Sequence, residues 1–128
     1  MTLPRRIVVV DDERSVRNGL SNLIQSEGYT TLVFESGEAL LGDDSAMADA
    51  ALFIIDVHLK GMSGFELFTE LTRRLINPPG IIISGNGDEA MLHYAISLGA
   101  IAFLRKPIEI DTLFDHIRLE LSSGEAHP

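Results

Sequence analysis

The chain has 128 residues, a length typical of one domain around a single hydrophobic core. Hydrophobic residues make up 45% of it and charged residues 23%, as in globular proteins, and the lack of cysteine excludes a disulfide framework, a thiolate zinc site and a cysteine nucleophile. A net charge of -9 makes the chain a poor candidate for binding nucleic acid or an anionic membrane by itself, because such binding needs clustered lysine and arginine.

No apolar run is long enough to cross a bilayer. The longest runs, residues 7–10, 50–55 and 81–83, fall far below the ~20 residues that a membrane-spanning helix requires. The first ten residues loosely resemble a signal peptide, but their apolar run is too short and Asp11 follows it at once. Because nothing in the sequence directs export, we expect a cytoplasmic protein.

Short apolar runs alternate along the chain with amphipathic segments. Residues 7–10 form a continuous β-branched run, which predicts a strand buried on both faces. Asp11 and Asp12 can cap the helix that follows, whose apolar positions recur at helical spacing over 16–24 and which Gly28 ends.

The next part of the chain predicts two strands and one short helix. A second strand is predicted over 30–34, and a short helix over 36–41 follows it. The stretch 42–49 is polar and is assigned to no element. Residues 51–55 form the third strand, which ends at Asp56.

A glycine-rich loop with Gly61 and Gly64 follows, and apolar positions over 67–75 predict a helix that the Asn-Pro-Pro-Gly run at 77–80 ends. Phe65 and Phe68 are expected in the core.

Two more strands and two more helices complete the pattern. The fourth strand ends at Ser84, and a fourth helix is predicted over 88–99, where an acidic start suits the helix dipole. Its predicted apolar face carries Met91, Tyr94, Ala95 and Leu98. The fifth strand, 102–104, ends near Lys106, and the last helix is predicted over 110–121.

Five strand–helix units in this order predict an α/β fold, with a parallel sheet covered by helices on both faces. Ligands of such sheets bind beyond the carboxyl ends of the strands. Four of the five predicted strands end in side chains that can do chemistry: Asp11 with Asp12, Asp56, Ser84 and Lys106. We therefore expect these side chains to converge in one crevice.

The expected crevice suits metal-assisted phosphoryl transfer. Three neighbouring carboxylates raise each other's pKa and destabilise the fold, and a hard divalent cation such as Mg²⁺ relieves this repulsion. Asp56 can then attack a phosphoryl group to give an aspartyl-phosphate. The Ser84 hydroxyl and the Lys106 ammonium can hold phosphoryl oxygens, and a cis peptide before Pro107 can aim Lys106 inward.

Each of these residues also has an ordinary structural explanation. Asp11 and Asp12 can be a helix-capping pair, and Asp56 a solvated residue at a strand end. Ser84 can be a turn residue, and Lys106 a surface lysine. Their joint occurrence at matching strand ends favours the functional interpretation. The four histidines lack metal-ligand spacing, which leaves a zinc site unsupported, and the glycine-rich loop lacks the Gly-Lys-Ser/Thr of a Walker loop.

Four segments carry a resemblance to a known family. They read Val-Val-Asp-Asp-Glu at 9–13, Asp-Val-His-Leu-Lys-Gly-Met-Ser-Gly at 56–64, Ile-Ile-Ser-Gly-Asn-Gly-Asp at 82–88, and Gly-Ala-Ile-Ala-Phe-Leu-Arg-Lys-Pro at 99–107. Over nearly its whole length, the chain closely resembles the receiver domain of bacterial two-component response regulators. The Ser-Gly-Asn-Gly-Asp run most resembles receivers of nitrogen-fixation and nitrogen-regulation transcription factors.

The resemblance implies a flavodoxin-like, three-layer, doubly wound fold. Its parallel sheet would have five strands in the order 2-1-3-4-5, with five helices. Residues 1–121 would form the receiver domain, and residues 122–128 a polar C-terminal tail.

The resemblance also implies a role for each residue of the crevice. Asp56 would accept a phosphoryl group from a sensor histidine kinase or a phosphotransfer protein. Asp12, Asp56 and the backbone carbonyl of His58 would bind Mg²⁺ directly, with Asp11 acting mainly through water. Ser84 and Lys106 would hold the phosphoryl group.

Other residues would transmit or time the response. Phe103 would be an aromatic switch that turns inward when Ser84 is drawn toward the phosphate, and His58 and Asn86 would tune the lifetime of the phosphate. The family usually carries proline where Lys60 stands, and phenylalanine where Ile108 stands.

Output would pass through the fourth predicted helix and the fifth strand, because Ser84 and Lys106 adjoin both. Residues expected to be exposed there are His93, Ser97, Ile101 and Arg105. We expect a phosphorylation-dependent homodimer or partner binding at this face, with no direct contact to nucleic acid or membrane.

Two alternatives come from other functional classes. A haloacid-dehalogenase-type phosphatase would also form an aspartyl-phosphate, but it needs a second aspartate two residues after the nucleophile, where this chain has His58. An interaction module that is never phosphorylated would not need the complete set of site residues. The sequence therefore favours a phosphoacceptor that is not a turnover enzyme.

Overall fold

The computed structural model describes residues 6–125, so residues 126–128 of the predicted tail lie outside the described part. The strands are β1 (Arg6–Val10), β2 (Thr30–Phe34), β3 (Ala50–Asp56), β4 (Gly80–Ser84) and β5 (Ala102–Arg105). The helices are α1 (Arg14–Ser26), α2 (Gly37–Leu41), α3 (Asp44–Asp49), α4 (Gly64–Arg74), α5 (Glu89–Ser97) and α6 (Ile110–Glu125).

The five strands form one parallel sheet in the order β2-β1-β3-β4-β5, which confirms the predicted topology. Val10 pairs with Ile55, and the next residue of β3, Asp56, pairs with Ile83. Ser84 then pairs with Arg105. This register brings the ends of β1, β3, β4 and β5 to the same edge of the sheet.

The core has two halves, one on each face of the sheet. In β3, Phe53 and Ile55 pack with α2–α5, whereas Leu52 and Ile54 pack with α1 and α6. Both sets are completely or almost completely buried. A central strand covered on both faces requires an uninterrupted apolar run, which is why β1, β3 and β4 were evident in the sequence.

Residues 6–125 form six helices, and the prediction of five was wrong. The additional helix is α3, in the stretch that was assigned to no element. The Asp43 carboxylate caps it by accepting a hydrogen bond from the Ala46 N–H (3.0 Å). Ala46 and Met47 are its buried residues, and so short an apolar contact gives almost no periodicity to detect.

Two helix ends also differ from prediction. Glu13 occupies the N-cap of α1 and makes no side-chain cap, and Asp11 Oδ1 instead accepts the Glu13 N–H (2.9 Å). Asp11 and Asp12 are therefore not a capping pair. Helix α6 continues to Glu125, past residue 121, since no proline interrupts it there. The predicted break after α1 is confirmed, with Gly28 at φ +93°.

Helix α5 packs less closely than predicted. Ala95 is its only buried residue, and Tyr94 is 51% exposed although it was placed on the apolar face. The Tyr94 ring meets the half-buried Phe65 of α4 edge-on, with ring centroids 4.8 Å apart. Phe68, by contrast, is fully buried as predicted. No helix in the described part of the chain is long and apolar enough to span a membrane.

We predict that Gly64 is required for stability, because it is the first residue of α4 and its backbone lies in direct contact with Asp56 at the end of β3. A Cβ at this position would lie 2.1 Å from the Asp56 carbonyl oxygen, which is backbone and cannot move aside. Gly64→Ala should lower the free energy of unfolding by about 1–3 kcal/mol, measured by urea denaturation.

Gly19→Ala is the matched control. Gly19 is exposed within α1, and a Cβ there would meet no atom within 4 Å. It should raise the free energy of unfolding by about 0.5–1 kcal/mol through helix propensity. Equal effects of the two substitutions would contradict the steric argument.

Candidate functional site

Three carboxylates meet at the carboxyl edge of the sheet. Asp11 and Asp12 follow β1 and Asp56 ends β3, and one oxygen from each lies within 4.8 Å of the others. Asp11 is 0% exposed and Asp56 2%, while Asp12 is half-buried. Because buried like charges repel strongly, this cluster requires compensating positive charge.

Lys106 supplies that charge from the end of β5. Its Nζ lies 3.1 Å from Asp11 Oδ2, 3.4 Å from Asp56 Oδ2 and 3.2 Å from Glu13 Oε1. Although burial lowers the pKa of Lys106, its contacts with these carboxylates outweigh burial and raise the pKa above its usual value. The Lys106–Pro107 peptide is cis, and the Lys106 N–H donates to the Ser84 carbonyl (2.8 Å).

One ammonium does not satisfy this much negative charge. Asp11 Oδ2 is buried and, apart from its ion pair with Lys106 at 3.1 Å, it accepts no hydrogen bond within the described chain. Burial raises the pKa of Asp11, and repulsion from the neighbouring Asp56 carboxylate raises it further. The hydrogen bond from the Glu13 N–H and the contact with Lys106 lower the pKa, but the net result is a raised pKa. A buried oxygen whose ammonium partner is shared with two other carboxylates, in a cluster of oxygen donors, fits a hard divalent cation.

Asp56 has partners on both of its oxygens. Oδ1 accepts a hydrogen bond from the His58 N–H (3.3 Å), and Oδ2 contacts Lys106. Ser84 is completely buried on the neighbouring strand, where its Oγ accepts the Asn86 N–H (3.2 Å). A carboxylate, a hydroxyl and an ammonium thus stand at the ends of adjacent strands, an arrangement that can surround a small anionic group.

Phe103 and Arg105 connect β5 to the loop after β4. Phe103 is buried, and a Cβ at Gly87 would lie 2.4 Å from its Cζ, so only glycine permits this contact. The Arg105 guanidinium lies 5.7 Å from the Phe103 ring centroid, and its Nε donates to the Gly87 carbonyl (2.9 Å). The loop beside Ser84 is therefore bonded to β5.

The surface formed by α5 and β5 only partly matches expectation. His93, Ser97 and Arg105 are exposed. Ile101 was expected to be exposed but is partly buried, since it packs against the core half beneath α1 and α6. Ile96 of α5, which was not predicted to be exposed, is 48% exposed, and Tyr94, on the side of α5 that faces α4, is 51% exposed.

Two acidic residues that contact this region escaped the sequence analysis. Glu13 pairs with Lys106, and its only indication was its position after Asp12. Glu38 on α2 accepts a hydrogen bond from the Met62 N–H in the loop after β3 (2.9 Å). A contact across 24 residues has no local pattern that could predict it.

Comparisons with known proteins agree with these observations. Residues 7–118 match the response regulator receiver domain family. Nodulation protein W of Bradyrhizobium diazoefficiens is 38% identical over 112 residues, 87% of this chain and 48% of that protein. Transcriptional regulatory protein FixJ of Rhizobium meliloti is 34% identical over 109 residues, 85% of this chain and 53% of that protein. The chain spans about half the length of these curated relatives.

Solved structures show the same fold. The response regulator StyR superposes with a TM-score of 0.83 at 35% identity, over 93% of this chain and 60% of that one. A response regulator receiver domain protein from Clostridium thermocellum superposes with a TM-score of 0.86 at 24% identity, over 94% of this chain and 97% of that one.

Proposed function

Since this chain belongs to the response regulator receiver domain family of two-component systems, we propose that Asp56 accepts a phosphoryl group from a sensor histidine kinase or a phosphotransfer protein. The observation that carries the proposal is the position of Asp56. It ends a buried strand beside two other carboxylates, with Lys106 in contact and Ser84 on the next strand. We assign the receiver to residues 1–121 and a polar tail to residues 122–128, of which residues 122–125 continue α6.

The transfer is a displacement at phosphorus. An oxygen of the Asp56 carboxylate attacks the phosphorus atom, the bond from phosphorus to the donor imidazole nitrogen breaks, and that nitrogen keeps the electron pair. Lys106 and the Ser84 hydroxyl hold the phosphoryl oxygens. Such catalysis depends on positioning and charge neutralisation, so the chain acts as a phosphoacceptor and not as an enzyme that turns over a separate substrate.

Mg²⁺ is the proposed cofactor, and the three clustered carboxylates, which share one ammonium, support a cation at this place. Asp12, Asp56 and the backbone carbonyl of His58 would hold the ion, with Asp11 acting through water. When bound, Mg²⁺ neutralises the carboxylates and the charge on the transferring group. The exposed side chains of His58, next to Asp56, and Asn86, next to Ser84, are assigned to tuning the lifetime of the phosphate.

The response passes from Ser84 to the surface of α5 and β5. Phosphoryl contacts to Ser84 act on the loop that ends at Gly87, which in turn packs against Phe103 and bonds to Arg105. Phosphorylation would shift an existing equilibrium between two arrangements of this surface. We assign this surface to a homodimer or an output partner, and we assign the domain to the cytoplasm with no direct role in nucleic-acid or membrane binding.

The first functional prediction concerns the acceptor. Wild type incubated with acetyl phosphate and Mg²⁺ should gain one phosphoryl group by intact-mass spectrometry, and Asp56→Asn should gain none. Asp44→Asn, which removes the same charge from an exposed residue of α3, should behave as wild type. A phosphoryl adduct on the Asp56→Asn protein would sink the assignment.

The second concerns the metal. Mg²⁺ should raise the midpoint of thermal unfolding, since a ligand at 100 times its Kd stabilises the native state by about 2.7 kcal/mol. Asp12→Asn should reduce this shift, and it should raise the midpoint without Mg²⁺ because it relieves repulsion. The controls are Asp44→Asn and sodium chloride at matched ionic strength. A midpoint that ignores millimolar Mg²⁺ would rule out the metal site.

The third concerns output. Beryllofluoride, a mimic of the aspartyl-phosphate, should raise the mass measured by size-exclusion chromatography with light scattering. Ile96→Glu on α5 should abolish the increase, whereas Ile76→Glu, at a side chain 94% exposed in the loop before β4, should not. Ile101 is a poorer probe because it is partly buried. Association that survives Ile96→Glu would place the interface elsewhere.

A further inference from the structure

The loop of residues 58–63 begins at His58, whose backbone lies beside Asp56, and it contains no proline that would restrict its conformation. Both of its ends are well held. At the start, the His58 N–H donates to Asp56 Oδ1 (3.3 Å). At the finish, Ser63 begins α4 with a capping box, in which its N–H donates to Glu66 Oε1 (2.9 Å).

The middle of this loop is held from outside, by α2. The Met62 N–H donates to Glu38 Oε2 at 2.9 Å. Within the described chain, this is the one hydrogen bond that joins residues 59–62 to an element distant in sequence. Helix α2 is itself fixed, because Leu40 is completely buried in the core.

Two glycines make this contact possible. Gly61 has φ +77°, and a Cβ there would lie 2.4 Å from Glu38 Oε2. Gly37 lies opposite Met62, and a Cβ there would be 2.7 Å from the Met62 Sδ atom. We call this contact the α2 clamp. It consists of two closely fitting surfaces, one formed by Gly37 and Glu38 of α2 and the other by Gly61 and Met62 of the loop.

We infer that Glu38 is a positioning residue for phosphoryl transfer, which acts by holding the loop that carries the His58 carbonyl. The inference rests on the proposed function, in which that carbonyl is a Mg²⁺ ligand. A ligand on a loop that is already ordered binds without a further loss of conformational entropy. Without the α2 clamp, the loop must become ordered when Mg²⁺ binds, and this loss of conformational entropy weakens the Mg²⁺ affinity.

The test compares Glu38→Ala with Glu38→Gln and with Glu35→Ala. The glutamine keeps an oxygen that can accept the Met62 N–H. Glu35 is an exposed glutamate just before α2 for which the described chain shows no hydrogen bond, so it controls for the lost charge. Amide hydrogen exchange at Met62, Mg²⁺ affinity by calorimetry, and the rate of labelling by acetyl phosphate are measured for all three variants and wild type.

Glu38→Ala should accelerate exchange at Met62 and weaken Mg²⁺ affinity by about threefold to tenfold, the equivalent of one hydrogen bond. Labelling should slow at limiting Mg²⁺ and largely recover at saturating Mg²⁺. Glu38→Gln should stay within about twofold of wild type in affinity, and Glu35→Ala should match wild type. Unchanged exchange at Ile55 in the core confirms that each variant is folded.

Two results would overturn the inference while leaving the proposed function intact. In one, Met62 exchange accelerates but Mg²⁺ affinity does not change, so the α2 clamp is only structural. In the other, Glu35→Ala weakens Mg²⁺ binding as much as Glu38→Ala, so the effect is one of general charge. Failure of the wild type to bind Mg²⁺ or to be labelled would instead overturn the proposed function, and the inference with it.

Discussion

The structure depends on one ammonium group placed among carboxylates at the edge of the sheet. Lys106 comes from β5, yet it contacts Glu13 and Asp11 after β1 and Asp56 at the end of β3. These contacts form only if the strands pair in register, which the apolar core enforces. Hydrophobic burial thus holds in place a set of charges that would separate in solution, and the resulting shortage of positive charge makes the edge receptive to a cation.

A chain of contacts also connects the carboxyl edge of the sheet with the surface formed by α5 and β5. Ser84 and Lys106 are joined through the backbone, since the Lys106 N–H donates to the Ser84 carbonyl. The loop after Ser84 then meets Phe103 and Arg105 at Gly87. Under the proposed function, a phosphoryl group held by Ser84 and Lys106 would therefore act on β5 both directly through Lys106 and through the loop at Gly87. No long-range pathway is needed to connect the two.

The sequence predicts the parts of the molecule that are dictated by local patterns. Strands buried on both faces are uninterrupted apolar runs, so the strands, their alternation with helices and the polar residues after each strand could be predicted from local patterns, whereas the strand order came from the resemblance to the receiver family. Helix α3 was missed because its buried surface is limited to Ala46 and Met47. Tyr94 was misplaced because helical spacing does not reveal whether a neighbouring element covers the side chain. Glu38 could not be found, since its partner is distant in sequence.

The close approach of Gly64 to Asp56 gives the domain a mechanical asymmetry. Helix α4 is fixed to the site by backbone contact and by three large buried side chains, whereas α5 has only Ala95 buried. Under the proposed function, a change at Asp56 would therefore meet closer packing on the α4 side than on the α5 side. Exposed residues of α5 can therefore change without disturbing the core, whereas Gly64 cannot accept a larger side chain without disturbing Asp56.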